Sequence, residues 1–297
     1  MSSARHIQVP ADASRLPMTL PRLADKKRLG EPIVMVTAYD YPSARAAEAA
    51  NVDLVLVGDS GAMTVLGYPS TVAVEVDEML VLAKAARRGL TTPFLIVDLP
   101  FGSYEVSDEQ AIATAMRFVK EAGCDAIKLE GGGPMSVARA RAIVGAGIPV
   151  MGHVGLTPQT STALGGYRAQ GRTGQAAARI AAEALELQDA GCFSIVFEAM
   201  PSAVAAEIMP KMHGTVVIGI GAGPSTDGQV LVFHDLLGIR DGLGARFVKR
   251  YADIQAEMNA GVTAFAEDVR SRRYPAPEHD YSIDPEELER FRTARSG

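Results

Sequence analysis

The sequence holds 297 residues, 47% hydrophobic and 22% charged, enough for one large domain with a real core and unlike a disordered, collagenous or coiled-coil chain. Its 29 basic and 35 acidic residues leave a formal charge of −6 without a basic run, so the electrostatic footprint of a nucleic-acid or anionic-membrane binder is missing. No stretch of about 18 apolar residues exists to span a bilayer, Met1 to Met18 has no apolar signal core, and Cys124 and Cys192 have no metal spacing. The expectation is a cytoplasmic protein with small buried cysteines and no disulfide.

Seven short β-rich apolar runs follow one another along the chain: Ile33 to Ala38, Leu54 to Val57, Phe94 to Val97, Ala126 to Leu129, Pro149 to His153, Ser194 to Phe197 and Thr215 to Ile220. Their near-continuous apolar character is that of strands buried on both faces. An eighth starts either at Phe247 and Val248 or within Val230 to Phe233. Helical patterns lie between them. Asp77 is placed as the cap of a helix whose Met79, Leu82, Ala83 and Ala86 share a face, stopping near Gly89. Ser107 and Gln110 form a capping-box pattern before a helix with Ile112, Ala115, Met116 and Val119 on one face, ending at Gly123. Gln175 to Ala190 is a third helix, and Pro201 sits where a first-turn proline belongs.

Alternating strands and helices imply a parallel sheet, and seven or eight units in about 230 residues fit a (β/α)₈ barrel. A doubly wound open sheet is the alternative, though no G-x-G-x-x-G follows the first strand. The expected organisation is an N-terminal extension over 1–19, a single barrel over 20–270, and a charged, proline-bearing tail over 271–297 with a short helix in Glu286 to Phe291.

Acidic residues fall at the ends of the runs. Asp59 and Asp98 follow the second and third, and Glu130 and Glu198 follow the fourth and sixth. One such acid is ordinarily a helix cap or turn residue; four at strand C-termini of a barrel would converge on one mouth. Converging carboxylates repel unless a cation neutralises them, and hard oxygens suit Mg²⁺, which makes Asp59, Asp98 and Glu130 candidate ligands. Lys128 shares a strand face with Glu130, as a structural pair or as a partner for a substrate carboxylate or enolate. His153 ends the fifth run, as a core histidine or a site residue. The glycines of Gly219 to Gly223 either admit a phosphate or, as favoured, allow tight backbone packing.

Ordered segments then resemble one family. Val36-Thr37-Ala38-Tyr39-Asp40-Tyr41, Val57-Gly58-Asp59-Ser60, Asp98-Leu99-Pro100-Phe101, Ile127-Lys128-Leu129-Glu130-Gly131-Gly132 and Gly152-His153-Val154-Gly155-Leu156-Thr157-Pro158-Gln159 are similar to ketopantoate hydroxymethyltransferases. So are Leu164-Gly165-Gly166-Tyr167, Phe197-Glu198, Asp227-Gly228-Gln229 and Phe247 to Asp253. The resemblance covers residues 20 to 282. It implies a barrel of the phosphoenolpyruvate mutase and isocitrate lyase type, Mg²⁺ at Asp59, Asp98 and Glu130, and oxo-acid contacts from Asp59, Ser60, Asp98 and Lys128 with His153 nearby. It further implies Glu198 as catalytic acid/base and a homodecamer built as a pentamer of dimers. The implied reaction moves a hydroxymethyl group from 5,10-methylenetetrahydrofolate to 3-methyl-2-oxobutanoate through a Mg²⁺-stabilised enolate. The product is 2-dehydropantoate, the first committed step of pantothenate biosynthesis. Two departures stand out: Gly61-Ala62 replaces the family's usual Leu-Gly, and Ala199-Met200 replaces Cys-Val. Two other readings were weighed. A carbon–carbon lyase would want a cysteine in the fourth strand's loop, whereas Cys124 precedes that strand; a non-catalytic binding protein would have no use for four strand-end acids and a lysine.

Overall fold

The computed structural model describes residues 15–240 and 244–295. Most of the expected N-terminal extension, residues 1–14, and the last two residues of the tail lie outside the described residues. Eight parallel strands close into a barrel in sequential order: β1 (Ile33–Thr37), β2 (Leu54–Val57), β3 (Phe94–Asp98), β4 (Ala126–Lys128), β5 (Val150–Gly155), β6 (Ser194–Glu198), β7 (Val216–Ile220) and β8 (Gly228–Leu231). The first seven agree with the apolar runs to within a residue or two. The eighth is the one containing Val230; Phe247 lies beyond it, in irregular chain over the mouth.

The helices are α1 (Leu20–Leu29), α2 (Tyr41–Ala49), α3 (Gly61–Thr64), α4 (Val76–Gly89), α5 (Asp108–Arg117), α6 (Pro134–Gly145), α7 (Gly174–Asp189), α8 (Ser202–Ile208), α9 (Phe233–Leu237), α10 (Ile254–Arg270) and α11 (Pro285–Ala294). Three local expectations are corrected. Asp77 lies inside α4, whose cap is Glu75, with Glu78 accepting from the Glu75 N–H at 2.9 Å. The Gln110 carboxamide turns back to the Val106 N–H instead of closing the box on Ser107, although Ser107 does accept from the Gln110 N–H. Met116 is exposed: the buried stripe is Ala111, Ala115, Phe118 and Ala122, one position off Met116, and it continues through a π turn over Phe118–Ala122 to the left-handed Gly123.

Strand periodicity explains where the core sits. Leu54 and Leu56, and Phe94 and Ile96, point into the barrel, whereas Val55, Val57, Leu95 and Val97 point outward to the helices. Both faces are therefore apolar, as the runs required. The N-terminal end is sealed by α1 and the segment before it, with Met18 and Leu23 joining the interior cluster beneath Ile33 and Val216. Lys27 of α1 donates to Asp227 at 2.6 Å, and the same carboxylate oxygen accepts from the Val217 N–H at 2.7 Å. The Asp227 carbonyl takes the Ile33 N–H at 3.0 Å. One residue thus ties α1, β1 and β7 together just before β8 and closes the ring.

Beyond β8, α10 has no buried residue, and Met258, Val262, Phe265 and Val269 form an exposed stripe along it. Ring contacts from Phe265 to Tyr274 and from Tyr274 to His279 fold the start of the tail onto the helix end. The tail helix is α11, longer than expected by a few residues.

Asp227→Ala strands a partly buried ammonium and a strand N–H. Urea unfolding is expected to show a loss of about 2–4 kcal/mol. Lys27→Met, which removes the charge along with its partner's obligation, should cost less.

Candidate active site

The alternation that fills the barrel interior with Phe94 and Ile96 sends Asp98 inward next. It does the same with Lys128 after Ala126, with His153 after Met151 and with Glu198 after Val196. Apolar layers thus end in a polar layer at the C-terminal mouth. Glu130 continues the face of β4 two residues on, and Asp59 joins from the turn after β2. Asp59, Ser60, Asp98, Lys128, Glu130, His153 and Glu198 all line one cavity of about 980 Å³. Every sequence-predicted site residue is therefore brought to the same place.

The charged groups touch. Lys128 Nζ lies 2.9 Å from Asp98 Oδ1 and 3.9 Å from Glu130 Oε1. His153 Nδ1 lies 3.4 Å from Glu130 Oε1, and its Nε2 3.1 Å from Glu198 Oε2. The Asp59 N–H donates to Asp98 Oδ2 at 3.0 Å. Asp59, Asp98, Lys128, Glu130 and His153 are all buried, whereas Glu198 keeps partial exposure toward the cavity.

Burial dominates the proton affinities. It pushes Asp59 well above the usual carboxylate range, helped by the charges of Glu130 and Asp98 and opposed by Lys128. It raises Asp98 too, against the pull of Lys128. In Glu130 burial is outweighed by His153, Lys128 and the Gln159 N–H, so its carboxyl ends below its ordinary value. Burial would strip the proton from Lys128, but Asp98, Glu130 and Asp59 reverse this and raise it. His153 suffers burial and the Lys128 charge, yet hydrogen bonding to Glu130 and Glu198 lifts it to about 9.

The four acids Asp59, Asp98, Glu130 and Glu198 outnumber the two basic groups among them, Lys128 and His153. Asp98 Oδ1 is buried in this cluster beside Lys128 without an aligned hydrogen bond. A hard divalent cation fits that donor set. Among the described residues no three acid, histidine or cysteine side chains are already gathered as a closed metal cage.

Several contributors were not assigned from sequence. The Tyr39 hydroxyl lies 2.8 Å from Ser60 Oγ and fixes that side chain. Tyr104 and Gln159 are buried among the acids. Gln159 closes the segment Gly152 to Gln159, but neither its spacing nor its residue type signals a role. Ala199, directly after Glu198, adopts φ 47°, a left-handed conformation uncommon outside glycine, while donating its N–H to the Ile220 carbonyl. The Gly61 departure is accommodated by packing: a Cβ there would meet Tyr39 Cδ1 at 2.7 Å and Leu82 Cδ1 at 3.0 Å. The Gly219 to Gly223 segment serves close packing. Gly221 has φ 65°, and the Phe247 ring occupies the place of its Cβ.

A closed parallel barrel with its acid, lysine and histidine layer at the strand C-termini is the architecture of a (β/α)₈-barrel protein with its site at the usual end. The solved phosphonopyruvate hydrolase complexed with oxalate and Mg²⁺ shares the fold at a TM-score of 0.58 and 14% identity, over 94% of this chain and 99% of that one. The solved 2,3-dimethylmalate lyase does so at 0.52 and 16%, over 92% and 93%. Sequence is more specific. Residues 17–277 match the profile of ketopantoate hydroxymethyltransferase. The chain is 48% identical over 282 residues to 3-methyl-2-oxobutanoate hydroxymethyltransferase 1, mitochondrial, of Arabidopsis thaliana, covering 93% of this chain and 81% of that protein. It is 48% identical over 269 residues to the 3-methyl-2-oxobutanoate hydroxymethyltransferase of Moorella thermoacetica, covering 91% and 99%. The chain belongs to the ketopantoate hydroxymethyltransferase family, and it is an enzyme, a hydroxymethyltransferase. The lyase and non-catalytic readings fall with that assignment.

Folded His153 holds its proton to about pH 9, whereas an unfolded histidine releases it near 6.5. Its contribution to stability is complete below the lower value and disappears as pH rises through the higher one. Urea unfolding in EDTA should therefore show stability falling between roughly pH 6.5 and 9, and His153→Gln should flatten that slope. An equally steep fall in the variant would assign the effect to another group.

Proposed function

We propose that the protein transfers a hydroxymethyl group from 5,10-methylenetetrahydrofolate to 3-methyl-2-oxobutanoate, giving 2-dehydropantoate at the entry to pantothenate biosynthesis. The observation that carries this reading is the buried layer of Asp59, Asp98, Lys128, Glu130 and His153, with Glu198 beside it, at the base of a large cavity. The oxo acid fills only a fraction of about 980 Å³, and the remaining space is bounded by Met63, Tyr167, Met200, Ile239 and Phe247, apolar groups suited to a flat heterocycle. The names of the close relatives support the substrate.

Asp59, Asp98 and Glu130 would hold Mg²⁺, directly or through water, and the metal would supply Lewis acidity at the ketone oxygen. Ser60, held by Tyr39, and Lys128 bind the anionic oxo acid beside it, with His153 completing the pocket wall. The Glu198 carboxylate accepts the C3 proton, and Lys128 stabilises the enolate charge that develops. The C3 electron pair forms the new bond to the donor's methylene carbon as one of its two carbon–nitrogen bonds breaks, and water then displaces the second nitrogen, the two folate nitrogens taking up the C3 proton and one water proton. Water supplies the hydroxyl, so substrate, methylene donor and water balance against 2-dehydropantoate and tetrahydrofolate. Glu198, facing His153 at 3.1 Å, is positioned to carry protons in both directions.

The reading includes a homo-oligomer, a decamer by resemblance. The exposed Met258, Val262, Phe265 and Val269 stripe on α10 supports a subunit contact there. It also includes a cytoplasmic location, supported by two free, buried cysteines. Among the described residues no helix is long and apolar enough to cross a membrane.

Purified protein supplied with both substrates should form 2-dehydropantoate with Mg²⁺ and none with EDTA. Glu198→Gln should lower turnover by about 10²-fold or more while calorimetric binding of the oxo acid with Mg²⁺ persists; near-wild-type turnover would remove Glu198 from the mechanism. Light scattering should show an assembly larger than a dimer, and Phe265→Asp should shift it to smaller species.

A further inference from the structure

Gln159 stands in a 3₁₀ turn, Pro158–Thr160, immediately after β5. It is buried, and the mechanism above makes no use of it. Its side-chain Nε2 donates to Asp59 Oδ2 at 2.9 Å and to the Leu99 carbonyl at 3.0 Å. Its Oε1 accepts from the Tyr104 hydroxyl at 2.6 Å. Its main-chain N–H donates to Glu130 Oε2 at 3.0 Å. The Tyr104 oxygen in turn accepts from the Glu130 N–H at 3.3 Å.

Only one orientation of the carboxamide satisfies these partners. Reversed, its oxygen would face a carboxylate and a carbonyl, both acceptors, and its NH₂ would crowd the Tyr104 hydroxyl proton. Tyr104 is itself held by its backbone, since Arg139 donates to the carbonyls of Tyr104 at 3.0 Å and Glu105 at 3.1 Å. The arrangement therefore runs from the loop held by Arg139 through Tyr104 to Gln159, and from Gln159 to two acids that follow different strands.

We infer that Gln159 is the positioning residue of the acid cluster. It fixes Asp59 through its side chain and Glu130 through its main chain, with Tyr104 setting the direction of the amide. Asp59 has Oδ2 committed to a neutral donor and its other oxygen left for a cation or its water, while Glu130 has Oε2 on the Gln159 N–H and Oε1 facing Lys128 and His153. Two mutually repelling acids are thereby held in place before the cation arrives. This inference rests on the reading of Asp59 and Glu130 as cation ligands.

The test uses the full chain and Mn²⁺ as probe, counting free Mn²⁺ by electron paramagnetic resonance, with the unfolding midpoint measured separately in EDTA. Gln159→Leu keeps the volume and the main-chain bond but removes the donor to Asp59, and should weaken Mn²⁺ binding by about tenfold or more. Tyr104→Phe removes one hydroxyl and should weaken it by about threefold, the scale of one hydrogen bond. Met212→Ala, a truncation in the core outside this cluster, should lower the midpoint and leave the affinity unchanged. Should Gln159→Leu fail to fold, Tyr104→Phe carries the comparison. Wild-type affinity in the folded variants overturns the inference, as does a loss of affinity that merely follows the midpoint in all three. A wild-type protein that binds no Mn²⁺ refutes instead the cation reading on which the inference stands.

Discussion

One ammonium group lies inside the acid layer, and the arrangement of the mouth follows from it. Lys128 Nζ approaches Asp98 and Glu130 from the end of β4, buried from solvent on every side. Without it, Asp59, Asp98 and Glu130 would be carboxylates in a low-dielectric pocket with no protein cation among them except protonated His153, and the cheapest response would be to take up protons. With it, Glu130 stays anionic, and Glu130 together with Glu198 keeps His153 protonated to about pH 9 against the lysine's own charge. Under the proposed reaction, the excess of negative charge that remains would suit a divalent cation, and the same lysine would meet the charge of an oxo acid or an enolate.

The barrel makes that layer possible by a simple repetition. Each strand buries both faces, so its inward positions must be apolar below and need be polar only where the strand runs out at the mouth. Asp98, Lys128 and Glu198 are each the terminal residue of their strand. The N-terminal end is closed by α1, Met18 and the Asp227 ties, so the cavity has one opening and the acids face it. Shape and electrostatics are set by different parts of the chain, which is how barrels of this class share a fold at 14–16% identity while their chemistry differs.

Much of this was legible before any coordinates. Seven strands could be read from apolar runs, and the acids and lysine could be placed because a barrel puts strand ends on one side. What sequence could not supply is instructive. The eighth strand is short, contains Gly228 and Gln229 and is half-exposed at Gln229, so periodicity gave two candidates. Met116 misled because an apolar residue one position off the buried stripe of Ala111, Ala115, Phe118 and Ala122 fits the same spacing rule, and which face is covered depends on the barrel beneath it. Asp77 lost the cap to Glu75 because the choice depends on the entry angle of the chain. Tyr39, Tyr104 and Gln159 escaped for a different reason. Each acts through a partner distant in sequence: Gln159 meets Asp59 across 100 positions. Such contacts exist only after the barrel has closed.

The central claim is that the acid–lysine layer, loaded with a divalent cation, removes the C3 proton of 3-methyl-2-oxobutanoate. The most direct measurement is proton NMR of that substrate with the enzyme in D₂O, without any one-carbon donor. The account predicts loss of the C3–H signal to deuterium when Mg²⁺ is present, no exchange in EDTA, and strongly slowed exchange in Glu198→Gln. A C3–H signal that persists with Mg²⁺ in an enzyme still forming 2-dehydropantoate from both substrates would contradict proton removal preceding donor binding. Exchange that ignores the metal would contradict the role given to the acids.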